Sequence, residues 1–128
     1  MADPISDMFI RVKNANTAGR ETVSIPHSRF KLSIAHALSR AGLVGEIDVK
    51  GKRVRKTIEI TLQYKDGEPA VHGVKILSKP SRRVYAPYKK ITPARHRGTL
   101  FITTPRGIMT AVDARKEKVG GQLIAEVW

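Results

Sequence analysis

Cysteine is absent from all 128 residues, which excludes disulfides, thiolate nucleophiles and thiolate-bound metals together. Acidic side chains are scarce as well: 11 Asp and Glu stand against 24 Lys and Arg, for a formal charge of +13. No apolar run approaches the roughly 20 residues that a membrane-spanning helix needs. The four histidines, His27, His36, His72 and His96, show no metal-ligand spacing. The glycines nowhere form a phosphate-binding fingerprint, so neither a metal centre, a bound cofactor nor a nucleotide hydrolase is expected. What is present is 41% hydrophobic residues, enough for a packed core. With it comes an excess of positive charge that a polyanionic partner relieves.

That charge is unevenly placed. Residues 1–71 hold 12 basic and 8 acidic side chains, whereas residues 72–128 hold 12 and 3. Between His72 and Val112 lie nine Lys or Arg and not one Asp or Glu. The same stretch carries Tyr85, Tyr88 and the turn-like run Thr103, Thr104, Pro105, Arg106, Gly107. Cations attract phosphate, rings stack on bases and hydroxyls read a particular arrangement of donors and acceptors, so structured RNA is the first reading.

The first half reads helix, strand, helix, strand, strand. Asp3 caps a helix with Pro4 at its first position and a stripe of Ile5, Met8, Phe9 and Val12, which Asn14, Asn16 and Gly19 bring to an end. Thr22 to Ile25 is a short strand. Ser28 caps a second helix burying Phe30, Ile34, Ala37, Leu38 and Ala41, with Gly42 as its left-handed ending. Leu43 to Val49 and a strand with Ile58, Ile60, Leu62 and Tyr64 on one face follow, and Asp66-Gly67 marks a turn. In the second half, Val74 to Leu77, Arg82 to Tyr85 and Thr99 to Thr104 read as strands. Thr110 caps a brief helix ended by Gly120-Gly121, and Leu123, Ala125 and Val127 alternate through a final strand. The expectation is an α+β fold: an N-terminal αβαββ lobe over residues 1–70, packed beside a mostly β C-terminal lobe with a short helix over residues 71–128. The main RNA-binding surface is expected in the second lobe.

Several residues are candidates for contact. In Thr103 to Gly107 the hydroxyls suit base edges and ribose, Arg106 offers a planar fork and Gly107 permits close approach; the alternative is a strand-to-helix turn whose threonines satisfy local backbone. Tyr85 and Tyr88, flanked by Arg82, Arg83, Lys89 and Lys90, suit stacking, or else the core. Arg95, His96 and Arg97 form a cationic cluster for phosphate, or else a solvated loop. Arg11, Lys13, Arg29 and Lys31 are either phosphate contacts or a solvated helix face. Glu126 is the odd acid in a basic lobe, orienting an arginine or sitting on an exposed strand face. A ribonuclease using His72 and His96 is the enzymatic alternative. DNA binding through the second helix is weaker, because Lys31, His36 and Arg40 are not accompanied by Asn or Gln.

The chain resembles the family of the eighth protein of the bacterial small ribosomal subunit. The resemblance is carried by Asp3 to Met8 with Arg11 to Asn14, by Pro26 to Gly42, and by Arg83-Val84-Tyr85. It is carried further by Thr103 to Thr110 together with Ala114-Arg115 and Gly120-Gly121. It covers nearly the whole sequence, most loosely from Glu46 to Lys75. The resemblance implies a two-lobe fold and a cytoplasmic, non-enzymatic protein of the small subunit. It implies direct, early binding to the central domain of the small-subunit RNA, promoting its folding and assembly. A general RNA chaperone or messenger-binding regulator is the alternative. By the same resemblance, Thr103 to Gly107 meet the irregular core of an RNA helix in its minor groove, Tyr85 lies near that surface and Glu126 supports it. Charges of the N-terminal lobe touch phosphates, the fifth and twelfth small-subunit proteins pack nearby, and some members bind their own messenger. The family loop usually reads Ser-Thr-Ser-Lys-Gly. Here Thr103 keeps a hydroxyl, Pro105 removes one along with a backbone donor, and Arg106 keeps the charge in another geometry. Ala94 to Gly98 replace a glycine-rich apolar stretch, and Ala111 stands where an acid is usual.

Overall fold

The computed structural model describes residues 4–78, 83–88 and 98–128. They fall into two compact units, one reaching to His72 and the other running from Gly73 to Trp128. The N-terminal unit runs α1 (Pro4–Thr17), β1 (Thr22–Pro26), α2 (Arg29–Arg40), β2 (Val44–Lys50) and β3 (Thr57–Leu62). A small hairpin of β4 (Tyr64–Lys65) and β5 (Glu68–Pro69) completes it. β3 is the middle strand of an antiparallel sheet ordered β1-β3-β2. Ile58, Ile60 and Leu62 are buried on one face of β3, and Ile25 pairs across from Ile58.

α1 packs on β1 and β3, and α2 on β2. Neither helix is long enough to persist alone in water. Burying Met8, Phe9 and Val12 from one, and Ile34 and Leu38 from the other, holds them in place at about 1.5–3 kcal/mol per large side chain. Ser28 caps α2 as its sequence predicts: its backbone is extended and its hydroxyl accepts the Lys31 N–H at 3.1 Å, an arrangement worth about 1 kcal/mol. Gly42 follows at φ +79.

Three expectations for this unit are corrected. Phe30 is 42% exposed rather than core. The buried stripe of α2 runs through Lys31, Ile34, Ala35 and Leu38 at i, i+3, i+4 and i+7, with Lys31 half-buried at its start. Asn16 does not simply end α1. It lies within the helix and is fully buried; its Nδ2 donates to the Gln63 carbonyl at 3.1 Å and its Oδ1 accepts the Val71 N–H at 2.9 Å. One side chain thus ties α1 to the chain on both sides of the β4–β5 hairpin. Tyr64 does not extend the buried face of β3. The strand breaks at Gln63, and the Tyr64 hydroxyl reaches the carbonyls of Asn16 and Arg20 at the end of α1. The Asp66-Gly67 turn is as read, with φ of +53 and +81, the two left-handed residues of a tight hairpin.

The second unit contains β6 (Val74–Ile76), β7 (Tyr85–Ala86), β8 (Thr99–Thr104), β9 (Gly107–Thr110), α3 (Ala111–Lys116) and β10 (Gly121–Val127). The sheet is antiparallel in the order β6-β10-β8-β9, with β7 also paired to β10. Its core cluster is Leu100, Ile102, Met109, Ala111 and Ala114, covered by Leu77, Ala86, Tyr88, Val119 and Leu123. Thr110 caps α3 as expected, accepting the Asp113 N–H at 3.2 Å. The helix ends at Lys116, however, and Lys118 at φ +58 supplies the left-handed residue. Gly120-Gly121 instead lead into β10. Simple alternation along β10 also fails: Ile124, Ala125, Glu126 and Val127 are all buried, because the strand is central and carries an extra residue between Leu123 and Ala125. Asp3, Lys79, Pro80, Arg82, Lys89, Lys90 and the stretch 91–97, which includes Arg95, His96 and Arg97, lie outside the described residues. Among the described residues no helix is long and apolar enough to cross a membrane.

Candidate nucleic-acid interface

The run Thr103 to Gly107 is not a strand-to-helix turn but the tip of a hairpin. β8 and β9 pair from Phe101↔Thr110 to Thr104↔Gly107, leaving Pro105 and Arg106 at the apex. A proline cannot take the positive φ that the commonest two-residue hairpin turns need at that place. Gly107, at φ +115, supplies the reversal. Sequence reading missed β9 because Gly107-Ile108-Met109-Thr110 is too short for alternation to be visible. Ile108 and Met109 are both buried.

Thr104 organises the tip. Its hydroxyl donates to the Gly107 carbonyl at 2.8 Å and accepts the Arg106 N–H at 3.1 Å. The hydroxyl is therefore locally satisfied, and a lone pair on the same oxygen remains as acceptor capacity. Arg106 is exposed and its Nη1 pairs with Glu117 at 3.3 Å, a surface contact worth at most about 1 kcal/mol. It points the guanidinium rather than anchoring the fold.

Register places Tyr85 beside Gln122 and Gln122 beside Thr103, so one rung of the sheet reads Tyr85, Gln122, Thr103, Ile108 across β7, β10, β8 and β9. Tyr85 is 69% exposed. Ala86 pairs with Gly121 on the next rung. A Cβ on Gly121 would overlap the Thr103 carbonyl oxygen, so only glycine lets β10 approach β8 this closely. The result is a groove of about 520 Å³ with Gly120 and Gly121 at its floor and Tyr85, Pro87, Thr103, Thr104, Pro105 and Gln122 around it. Sequence reasoning named the tyrosine and the threonines but not Gln122 or Pro87 as site residues. The glycine pair was the signal available, read there as a helix ending.

The other candidates are dispersed. Tyr88 packs against the core cluster. Arg83 is exposed just before β7. Glu126 is 4% exposed, opposite Lys75 and Leu100, which rules out the exposed-strand-face reading. Arg11 and Lys31 belong to the N-terminal unit. Arg11 reaches Asp7 and the Ser24 carbonyl, both at 3.4 Å, beside a second hollow with Arg20 on its rim, and Lys13 is half-buried. No group of three or more His, Cys, Asp or Glu able to hold a metal occurs among the described residues.

In class this is a basic, two-unit α+β chain with an open groove bearing tyrosine and threonine. Residues 3–128 match the family described as Ribosomal protein S8, and the chain belongs to that family. It is similar to the protein named small ribosomal subunit protein uS8 from Mycoplasmopsis agalactiae, at 41% identity over 129 residues covering 100% of this chain and 98% of the relative. The protein of the same name from Roseiflexus castenholzii is 42% identical over 130 residues, covering 98% of this chain and 97% of the relative. That from Bifidobacterium longum is 38% identical over 130 residues, at 100% and 98% coverage. The family's members are structural ribosomal proteins, and the chain is a structural, non-catalytic protein by that membership.

Proposed function

We propose that this chain is a structural constituent of the small ribosomal subunit, where it binds the central domain of the small-subunit RNA directly and promotes its folding and assembly. The observation that carries the reading is the rung Tyr85–Gln122–Thr103 above a glycine floor. It sets an exposed ring, a side-chain amide and two hydroxyls around one groove. In this reading the C-terminal lobe, residues 71–128, carries the main RNA surface. The names of the relatives, all small-subunit proteins, support the assignment.

In this reading Tyr85 stacks on an unpaired base, Thr103 and Thr104 contact base edge or ribose, and Arg106 meets phosphate at the hairpin apex. Gly107 sets the apex and Pro105 stiffens it. Arg82, Arg83, Arg95 and Arg97 of the second lobe take phosphates, and Arg11 and Lys31 of the N-terminal unit take phosphates of their own. Tyr88 supports the groove from the core. Glu126 supports the surface from beneath. The protein works in the cytoplasm within the subunit, with the fifth and twelfth small-subunit proteins as neighbours and its own messenger as a second RNA target.

The test is titration of a central-domain RNA helix against an equal-length scrambled RNA across a salt series. A cognate preference that survives rising salt is expected. Equal affinities collapsing together would reduce the groove to a basic surface.

A further inference from the structure

The β2–β3 connection is an exposed cationic feature of the N-terminal unit and does not line the groove. Lys52, Arg53, Arg55 and Lys56 are all exposed, and Val54 at their centre is 93% exposed. The connection is a built turn: the Arg55 N–H donates to the Lys52 carbonyl at 2.8 Å, and the His27 N–H donates to the Lys56 carbonyl at 3.1 Å. At the base of the strands Lys50 pairs with Glu59 at 3.1 Å. None of the four cations at the tip has an ion pair among the described residues. The four residues Lys52 to Arg55 line an open hollow of about 550 Å³.

We infer that this turn is a second RNA contact, in which Lys52, Arg53, Arg55 and Lys56 take phosphates on either side of a backbone and Val54 rests against ribose or a base face. A protein partner is the weaker match. Protein interfaces are anchored by large side chains such as Trp, Tyr or Leu filling a pocket, and the tip offers only a valine. Four cations within five residues, with no acid between them, suit a polyanionic backbone. The Arg forks engage phosphate oxygens two at a time. The inference rests on the reading of the chain as an RNA-binding protein but not on the groove.

The absence of cysteine makes the test direct. Val54→Cys and, beside the hairpin apex of the other unit, Glu117→Cys each create a single thiol on the full chain. An iron chelate tethered there cleaves nearby ribose in bacterial small-subunit RNA. Cleavage from position 54 is the expected result. Silence from position 54 with cleavage from position 117 overturns the inference and leaves the groove reading intact. Silence from position 117 with cleavage from position 54 does the reverse. Shielding of the position-54 thiol in assembled subunits without RNA cleavage assigns the tip to a protein and also overturns the inference. As a second measurement, the double substitution Arg53→Ala, Arg55→Ala lowers the salt slope of binding to the same RNA by roughly 2, one for each phosphate no longer neutralised. An unchanged slope counts against the contact.

Discussion

Gly121→Ala is the sharpest probe of how the groove is built. The new methyl would overlap the Thr103 carbonyl oxygen and lie 2.9 Å from the Thr103 carbonyl carbon and 3.2 Å from the Thr104 Cα. All three atoms are backbone, so no flexible side chain can swing aside; β10 and β8 must separate. Overpacking of this kind costs about 1–3 kcal/mol. The reduced freedom of the unfolded chain returns about 0.4–1 kcal/mol. Mid-range values of the two leave a net loss of about 1.3 kcal/mol, read in urea unfolding. A second loss is expected in cognate RNA affinity, measured where both proteins are fully folded, because the Gln122–Thr103 pair widens. Gly107→Ala is the control: no atom lies within 4 Å of where its methyl would stand, yet its φ is +115. It costs about 1–2 kcal/mol through backbone strain alone. A Gly121→Ala protein within about 0.5 kcal/mol of the parent in both assays would refute the close-approach reasoning.

Asn16→Leu keeps the volume but strands the Val71 N–H and the Gln63 carbonyl. It is expected to destabilise by about 1–3 kcal/mol in urea melts, and a neutral result would mean that these two bonds contribute no net stability. Thr104→Val removes both bonds of the tip; cognate RNA affinity should fall by about 1–3 kcal/mol, with Thr104→Ser retaining it, and equal titration curves for all three proteins would take the hydroxyl out of the site. Tyr85→Ala should lose the roughly 1–3 kcal/mol typical of one stacked base while Tyr85→Phe keeps it. Identical losses for the two would show that the phenol, not the ring face, makes the contact.

Much of the fold was legible because its signals are local. The Ser28 and Thr110 caps, the Asp66-Gly67 turn and the alternation of Ile58, Ile60 and Leu62 each need only a few neighbouring residues. What escaped depends on partners distant in sequence. Asn16 reads as a terminator until Gln63 and Val71 arrive beside it. Phe30 and Tyr64 fit a period that tertiary packing did not adopt. β9 is four residues long and defined by pairing with β8 rather than by its own pattern. Of the candidate site, Tyr85 and the threonines were visible as residue types in a cationic stretch. Their convergence was not, because it requires β10 to run between β7 and β8, and Gln122 carries no signal of that in its neighbours.

The sheet order has a consequence for synthesis of the protein. β6, β7 and β8 have one shared partner, β10, and all three are made before it. While the nascent chain has only reached Gly120, the β8–β9 hairpin can close by itself, but β6 and β7 have nothing to hydrogen-bond to. Tyr85 has no Gln122 beside it and the groove has no floor. Closure of the groove is thus the final act of folding in this unit. A growing chain, however basic, cannot present the finished groove to the RNA crowded around its own birthplace until Gly121 and the residues after it have emerged.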